Sequence, residues 1–223
     1  MDSLLPPDPE LELLHTRTYE VRSYRRDERT MTIRGAVRDV KPAGMMLEDD
    51  PEPLTIHHMI VEIDVALPGM DITRAEVVFE ERPHSTCTGI VPHYANLVGL
   101  SIARGFTHKV RELFGGPRGC THVTALLQAM APVANQSRFS MMAAGRRAAA
   151  AAAGESGTGM NMPTSEQRMA MMAGNLNTCH VWDEHGDMVE GIRHGQEREA
   201  PLWIGKRLAK LGRDPESWNS PMA

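Results

Sequence analysis

Between His58 and Leu67, apolar and polar residues take turns. Met59, Val61, Ile63, Val65 and Leu67 share one parity, with His58, Glu62 and Asp64 on the other. A period of two belongs to a strand with one buried face and one wet face, and no helix reconciles it. Three neighbouring stretches read the same way. Thr16–Arg25 is rich in Thr, Tyr and Val; Met31–Val40 sets Met31, Ile33 and Val37 against Arg34 and Arg38; Ile72–Glu81 puts Val77 and Phe79 on a shared face. Polar Arg26–Arg29, the Gly- and Asp-containing loop Pro42–Pro53, and the turn Pro68-Gly69-Met70-Asp71 connect them. The pattern predicts a four-stranded antiparallel meander.

The character then changes to helical. Pro92–Leu100 and Phe106–Leu113 read as short amphipathic helices, and Gly115-Gly116-Pro117-Arg118-Gly119 ends the second. Cys120-Thr121 opens a long third helix whose Val123, Leu126, Leu127 and Met130 form a core stripe, with Pro132 as a kink. Ser165–Met172 predicts a further helix and Asn177–Trp182 a final strand. The expected class is α+β: a four-stranded antiparallel sheet followed by helices packed on one face. The organisation reads as a flexible Pro- and acid-rich lead-in (1–14), a core domain (15–182) and a C-terminal extension (183–223). The core domain carries an Ala/Gly-rich insertion at 148–163. In the extension, Trp203 and Trp218 are expected to pack on something.

Composition limits the function. With 24 Lys+Arg against 29 Asp+Glu the formal charge is −5, which disfavours a nucleic-acid partner. No run of about 18 apolar residues exists to span a bilayer, and the N-terminus lacks the basic start and apolar core of a secretory signal. Three cysteines cannot all pair, which favours a reducing, cytoplasmic setting. Aromatic content is only 4%, against 16 methionines, so the core must be aliphatic and Met-filled. The cluster Met141, Met142, Met169, Met171 and Met172 reads as adaptable core or the face of a homodimer.

The ten histidines and three cysteines gather at the ends of the expected elements, where scaffolds present functional groups. His57 and His58 open the third strand. His84 and Cys87 follow the fourth, His93 opens the first helix, Cys120 and His122 open the long one, and Cys179-His180 sit near the end. Thiolate and neutral imidazole are the usual zinc ligands, and a helix N-terminus favours thiolate. Cys87, Cys120 and His122 are therefore expected to lie together, able to hold one Zn or Fe ion; no organic cofactor is indicated. The glycine run before Cys120 lacks the lysine and Ser/Thr of a phosphate-binding loop, and no GxSxG or HExxH motif occurs.

His15-Thr16-Arg17, the strand around His58-Met59, Cys87, Gly119-Cys120-Thr121-His122 and Thr178-Cys179-His180 together resemble the DUF2889 family across roughly His15 to Trp182. The order of elements also resembles NifU- and SufE-type iron–sulfur scaffold and sulfur-acceptor proteins. There Cys87 and Cys120 would match the first and last ligand cysteines, but the cysteine expected between them is missing and position 119 is Gly. The first resemblance implies an enzyme of aromatic catabolism, a carbon–carbon lyase that releases formaldehyde from a lignin-derived dimer. Such chemistry needs a base, a group that stabilises developing phenolate, and an apolar slot for the rings. His58, His84, His93 and His122 are the candidate bases, and Tyr94 and Arg118 the stabilising partners. The second resemblance implies the alternative, a non-catalytic metal-binding or sulfur-handling protein.

Overall fold

The computed structural model describes residues 4–152, 154, 165–196 and 201–215. Four strands, β1 (Thr16–Arg25), β2 (Thr30–Lys41), β3 (Leu54–Ala66) and β4 (Asp71–Glu81), form one antiparallel sheet in chain order. Period-two patterning decides which side is covered. Met31, Ile33 and Val37 of β2, Met59, Val61, Ile63 and Val65 of β3, and Val77 and Phe79 of β4 all face the core. The 3-10 run after β4 and the helices Phe106–Phe114 and the first part of Thr121–Ala152 contribute the residues packed against it, giving the expected α+β architecture. On the other face, Arg74 reaches Asp64, Glu62 and Glu76, while Arg34 joins Glu62 and Arg26 joins Asp64. That lattice of opposite charges is how a wet sheet face is populated.

Two helices close the core, α1 (Phe106–Phe114) and α2 (Thr121–Ala152). Phe106, Val110 and Phe114 of α1 and Val123, Leu126, Leu127 and Met130 of α2 are buried against the sheet, at the spacing the sequence predicts. Gly35 on β2 makes room for α2. A Cβ there would stand 2.9 Å from Met130 Sδ and 3.1 Å from Leu126 Cδ1, closer than a packed interior tolerates.

Three local expectations are corrected. The helix expected at Pro92–Leu100 is a run of 3-10 turns over Ser85–Leu97; Pro92 lies inside it and lacks the N–H that an α-helical ladder would use. Asn177–Trp182 is not a strand. Asn177 adopts a left-handed φ of 59°, its N–H donates to Trp182 O, and its side chain accepts the Glu184 N–H, so the chain turns through a short 3-10 segment at His180–Trp182. Trp203 is 71% exposed. Trp218 and most of the 148–163 insertion lie outside the described residues.

The chain divides into two compact units, Met1–Met141 and Met142–Ala223, and the boundary falls within α2, inside the span read as one core domain. The second unit contains α3 (Ser165–Met172), α4 (Asp187–Arg193) and α5 (Leu202–Lys210), with Val189 and Ile192 of α4 buried. Among the described residues no helix is long and apolar enough to cross a membrane.

Candidate functional site

The covered face of the sheet ends in charge. Directly after Met31, Ile33, Gly35 and Val37, the next position of the same parity on β2 is Asp39, and it is 1% exposed. Its register neighbours are Arg17 on β1 and His57 on β3, so three polar side chains form one row across three strands. A carboxylate buried this deeply needs partners, because desolvation penalises its charged form. Arg17 supplies two charge-assisted bonds, Nε to Oδ1 at 2.6 Å and Nη2 to Oδ2 at 2.7 Å. His15, just ahead of β1, places Nε2 3.3 Å from Oδ1.

The fourth element arrives from above. Thr124 N–H donates to Cys120 O, so α2 starts at Cys120, and His122 lies in its first turn. His122 Nε2 is 2.9 Å from Asp39 Oδ2, and His57 Nδ1 is 3.1 Å from the same oxygen. The two imidazole rings lie 4.0 Å apart between centroids, tilted by 31°. The start of α2 is anchored by Tyr94, whose hydroxyl accepts the Cys120 N–H at 2.8 Å. Tyr94 itself is buried against Phe114, and burial pushes its phenol up to about 12, so it stays protonated.

The geometry fixes protons. A carboxylate oxygen only accepts, so His122 Nε2 and His57 Nδ1 each carry a hydrogen toward Asp39, and in a neutral His122 ring Nδ1 is then the lone-pair nitrogen. Arg17, outweighing the opposing effect of burial and aided by His122, holds the Asp39 carboxyl well below the usual carboxylate range. His122 is held below the ordinary imidazole value, first by burial and then by repulsion from His57; the pull of Asp39 does not overcome them. The result is an ionised carboxylate beneath a neutral His122 at neutral pH. Cys120 Sγ lies 3.7 Å from His122 Nδ1, on the side of the ring away from Asp39.

Of the candidate bases, stabilising groups and metal ligands, His122 alone belongs to this cluster. His57, His15 and Arg17 stand out in the sequence without such a role, and Asp39 does not stand out at all. His58 points the other way, into a shallow depression on the open sheet face with Thr18, Glu20, Ala36 and Arg38. Adjacent strand residues take opposite faces, so His57 and His58 cannot share a site. His93 is a structural brace: Nε2–H donates to Leu113 O at 3.0 Å, and Nδ1 accepts from Asn96 Nδ2 at 3.2 Å. Arg118 is exposed and donates Nε to Glu112 O, closing the end of α1. His84 is exposed ahead of the 3-10 run. Tyr94 touches the cluster only through the backbone of Cys120.

The expected Cys87–Cys120–His122 triad is not the group that the fold gathers. Among the described residues, the one set of three or more His, Cys, Asp or Glu ligand atoms within 4.8 Å of one another is Asp39, His57 and His122. Cys87 and Cys120 are half-buried and packed on the core, and Cys179 is exposed. A carboxylate and two imidazoles form a donor set that can hold a metal ion.

The fold and site together define an α+β protein with a carboxylate-anchored pair of histidines where sheet and long helix meet. The chain belongs to DUF2889, a family described as protein of unknown function, whose model matches residues 15–136, more than half of its length. That match contains His15, Arg17, Asp39, His57 and His122, and it ends before Thr178-Cys179-His180. No curated protein matches the chain and no solved structure does, so the NifU/SufE-like order of elements stands on the sequence alone.

Proposed function

We propose that the Asp39–His57–His122 cluster is the working centre of an acid–base enzyme, a carbon–carbon lyase that releases formaldehyde from a hydroxymethyl-bearing aromatic dimer. The observation that carries this reading is the 2.9 Å contact between His122 Nε2 and the buried Asp39 carboxylate, which leaves Nδ1 as the basic nitrogen of a neutral imidazole. A general base must be unprotonated at the operating pH, and burial, which lowers the His122 pKa from the ordinary imidazole value, keeps it so at neutral pH. In the proposed step Nδ1 takes the proton of the substrate hydroxyl. The C–O bond becomes the carbonyl of formaldehyde, the carbon–carbon bond breaks, and the electron pair left on the adjacent, ring-conjugated carbon takes back the proton that His122 carries, so that R–CH2OH gives R–H and CH2O. Asp39 stabilises the imidazolium formed, and Arg17 keeps Asp39 ionised throughout. The substrate class is proposed from the reading of the sequence, and the choice of His122 as base rests on its contact with Asp39.

The test is aldehyde release from a panel of lignin-type dimers. His122→Ala is expected to lower turnover by roughly 10²–10⁴, whereas His93→Ala and His58→Ala, which alter groups outside the cluster, stay near the parent. A parent without activity on every dimer, or a fully active His122→Ala, removes the reading.

The same three ligands support a second reading, in which the cluster holds one Zn or Fe ion. The donor set fits, although Arg17 occupies both carboxylate oxygens and would have to yield one. Elemental analysis of the purified protein separates the readings: stoichiometric metal lost in His57→Ala favours the ion, and metal-free active protein favours acid–base chemistry.

A further inference from the structure

The two edges of the sheet are finished differently. At the start of β4 the outer edge is covered by the chain itself: Ile72 N–H donates to Leu100 O, Gly99 N–H donates to Ile72 O, and Asp71 bridges Ser101. The opposite edge, β1, has no such cover. Among the described residues its only strand partner is β2, with unbroken register from Thr16↔Val40 to Arg25↔Met31. Ten residues long, β1 contains no proline or bulge, its charges are Arg17, Glu20, Arg22 and Arg25, none of its residues is buried, and Tyr19 and Tyr24 are 40% and 45% exposed. Natural sheets usually blunt a long flat edge by one of those devices, because its free N–H and C=O groups template pairing with another strand.

The sequence of β1 also specifies a partner. In an antiparallel pair related by a two-fold axis normal to the sheet, opposed residues share a face, so their numbers sum to an even value. With the axis at Val21, Glu20 faces the partner's Arg22 and Arg22 faces the partner's Glu20, both on the open sheet face. Tyr19 then faces the partner's Ser23, and Tyr24 faces the partner's Thr18. Sliding two positions either way sets Glu20 against the partner's Glu20, or Arg22 against the partner's Arg22. Only the Val21 register turns both charges to advantage, and cross-strand charge pairs of this kind select register. Within one chain Arg22 and Glu20 already form an ion pair along the strand, so both side chains extend over the same face. The one like-charge opposition created, Arg17 with the partner's Arg25, is damped because Arg17 is bound to Asp39.

We propose that β1 is the homodimer interface of this protein, two copies joining edge to edge about Val21 into a continuous eight-stranded sheet. The occupant is a second copy of this chain, named by the self-complementarity of Glu20 and Arg22.

Sedimentation equilibrium of the full chain tests it. The parent is expected to be dimeric at micromolar concentration. Glu20→Arg and Arg22→Glu, each placing like charges opposite one another twice, are expected to raise the dimer dissociation constant at least tenfold. The double exchange Glu20→Arg with Arg22→Glu is expected to restore it. All three variants lie on an exposed face and are checked for native circular dichroism. A monomeric parent, single variants that dimerise like the parent, or a double exchange that stays monomeric while folded would each overturn the proposal.

Discussion

Replacing Asp39 by Asn removes one charge while preserving shape, and the structure fixes what that costs. Oδ2 accepts from Arg17 Nη2, His122 Nε2 and His57 Nδ1, while Oδ1 accepts from Arg17 Nε and lies near His15. An asparagine keeps one oxygen. Its best orientation sets that oxygen in the three-donor corner and turns the amide NH2 against Arg17 Nε. One charge-assisted bond is then lost and the others weaken, against about 1.5–3 kcal/mol for a hydrogen bond to a charged group. Arg17 is 39% exposed and recovers part of its hydration, so about 2 kcal/mol is the expected loss. Asp39→Ala leaves both imidazole N–H groups without an acceptor and is expected to cost a further ~1–3 kcal/mol. Urea unfolding followed by circular dichroism reads the difference. With a slope of about 2 kcal/mol per molar, the Asn variant should shift its midpoint by roughly 1 M. An Asn variant within ~0.5 kcal/mol of the parent, or an Ala variant more stable than the Asn variant, would refute the anchoring role of Asp39.

Two other substitutions probe the scaffold around the site. Gly35→Val places a branched side chain where even a Cβ would stand 2.9 Å from Met130 Sδ, and should destabilise by about 1–3 kcal/mol in the same urea assay; a neutral result would mean that α2 does not rest on β2 there. Tyr94→Phe removes the acceptor of the Cys120 N–H at the start of α2 and should cost about 1 kcal/mol, with faster amide exchange at Cys120 as the local signature. Unchanged exchange would show that the hydroxyl does not hold the helix start.

How much of this was legible depends on distance along the chain. The meander was readable because side-chain parity is local, and β2 and β3 keep theirs for four or more residues. Extending the same parity one step past Val37 lands on Asp39, and one step before Met59 lands on His57. A carboxylate and an imidazole, each continuing the core parity of its own strand, are the signal that the sequence offers. The arrival of His122 was not legible. It lies 83 residues from Asp39, and nothing local encodes how far the start of α2 overhangs the sheet. Of the cysteine triad, Cys120 and His122 do meet, Sγ 3.7 Å from Nδ1, while the ligand set gathered around His122 is completed by Asp39 and His57 and not by Cys87. Asn177–Trp182 differs from the expected strand because Asn177 takes a left-handed φ, which no residue-by-residue alternation encodes, and the chain turns there.

The central claim is that buried Asp39 holds His122 as a neutral imidazole with its hydrogen on Nε2. Two-bond proton–nitrogen correlation spectra of the histidine rings, recorded as a pH titration and assigned with His122→Ala, measure tautomer and charge together. Folding lowers the pKa of His122, so its stabilising contribution is complete above about 6.5, the ordinary imidazole value, and is lost as pH falls through the folded value. The expected result is a His122 ring that is neutral and Nε2-protonated at pH 7, and that gains its second proton only below that ordinary value, with stability declining over the same interval. A ring already cationic at pH 7, or neutral with its hydrogen on Nδ1, would contradict the account.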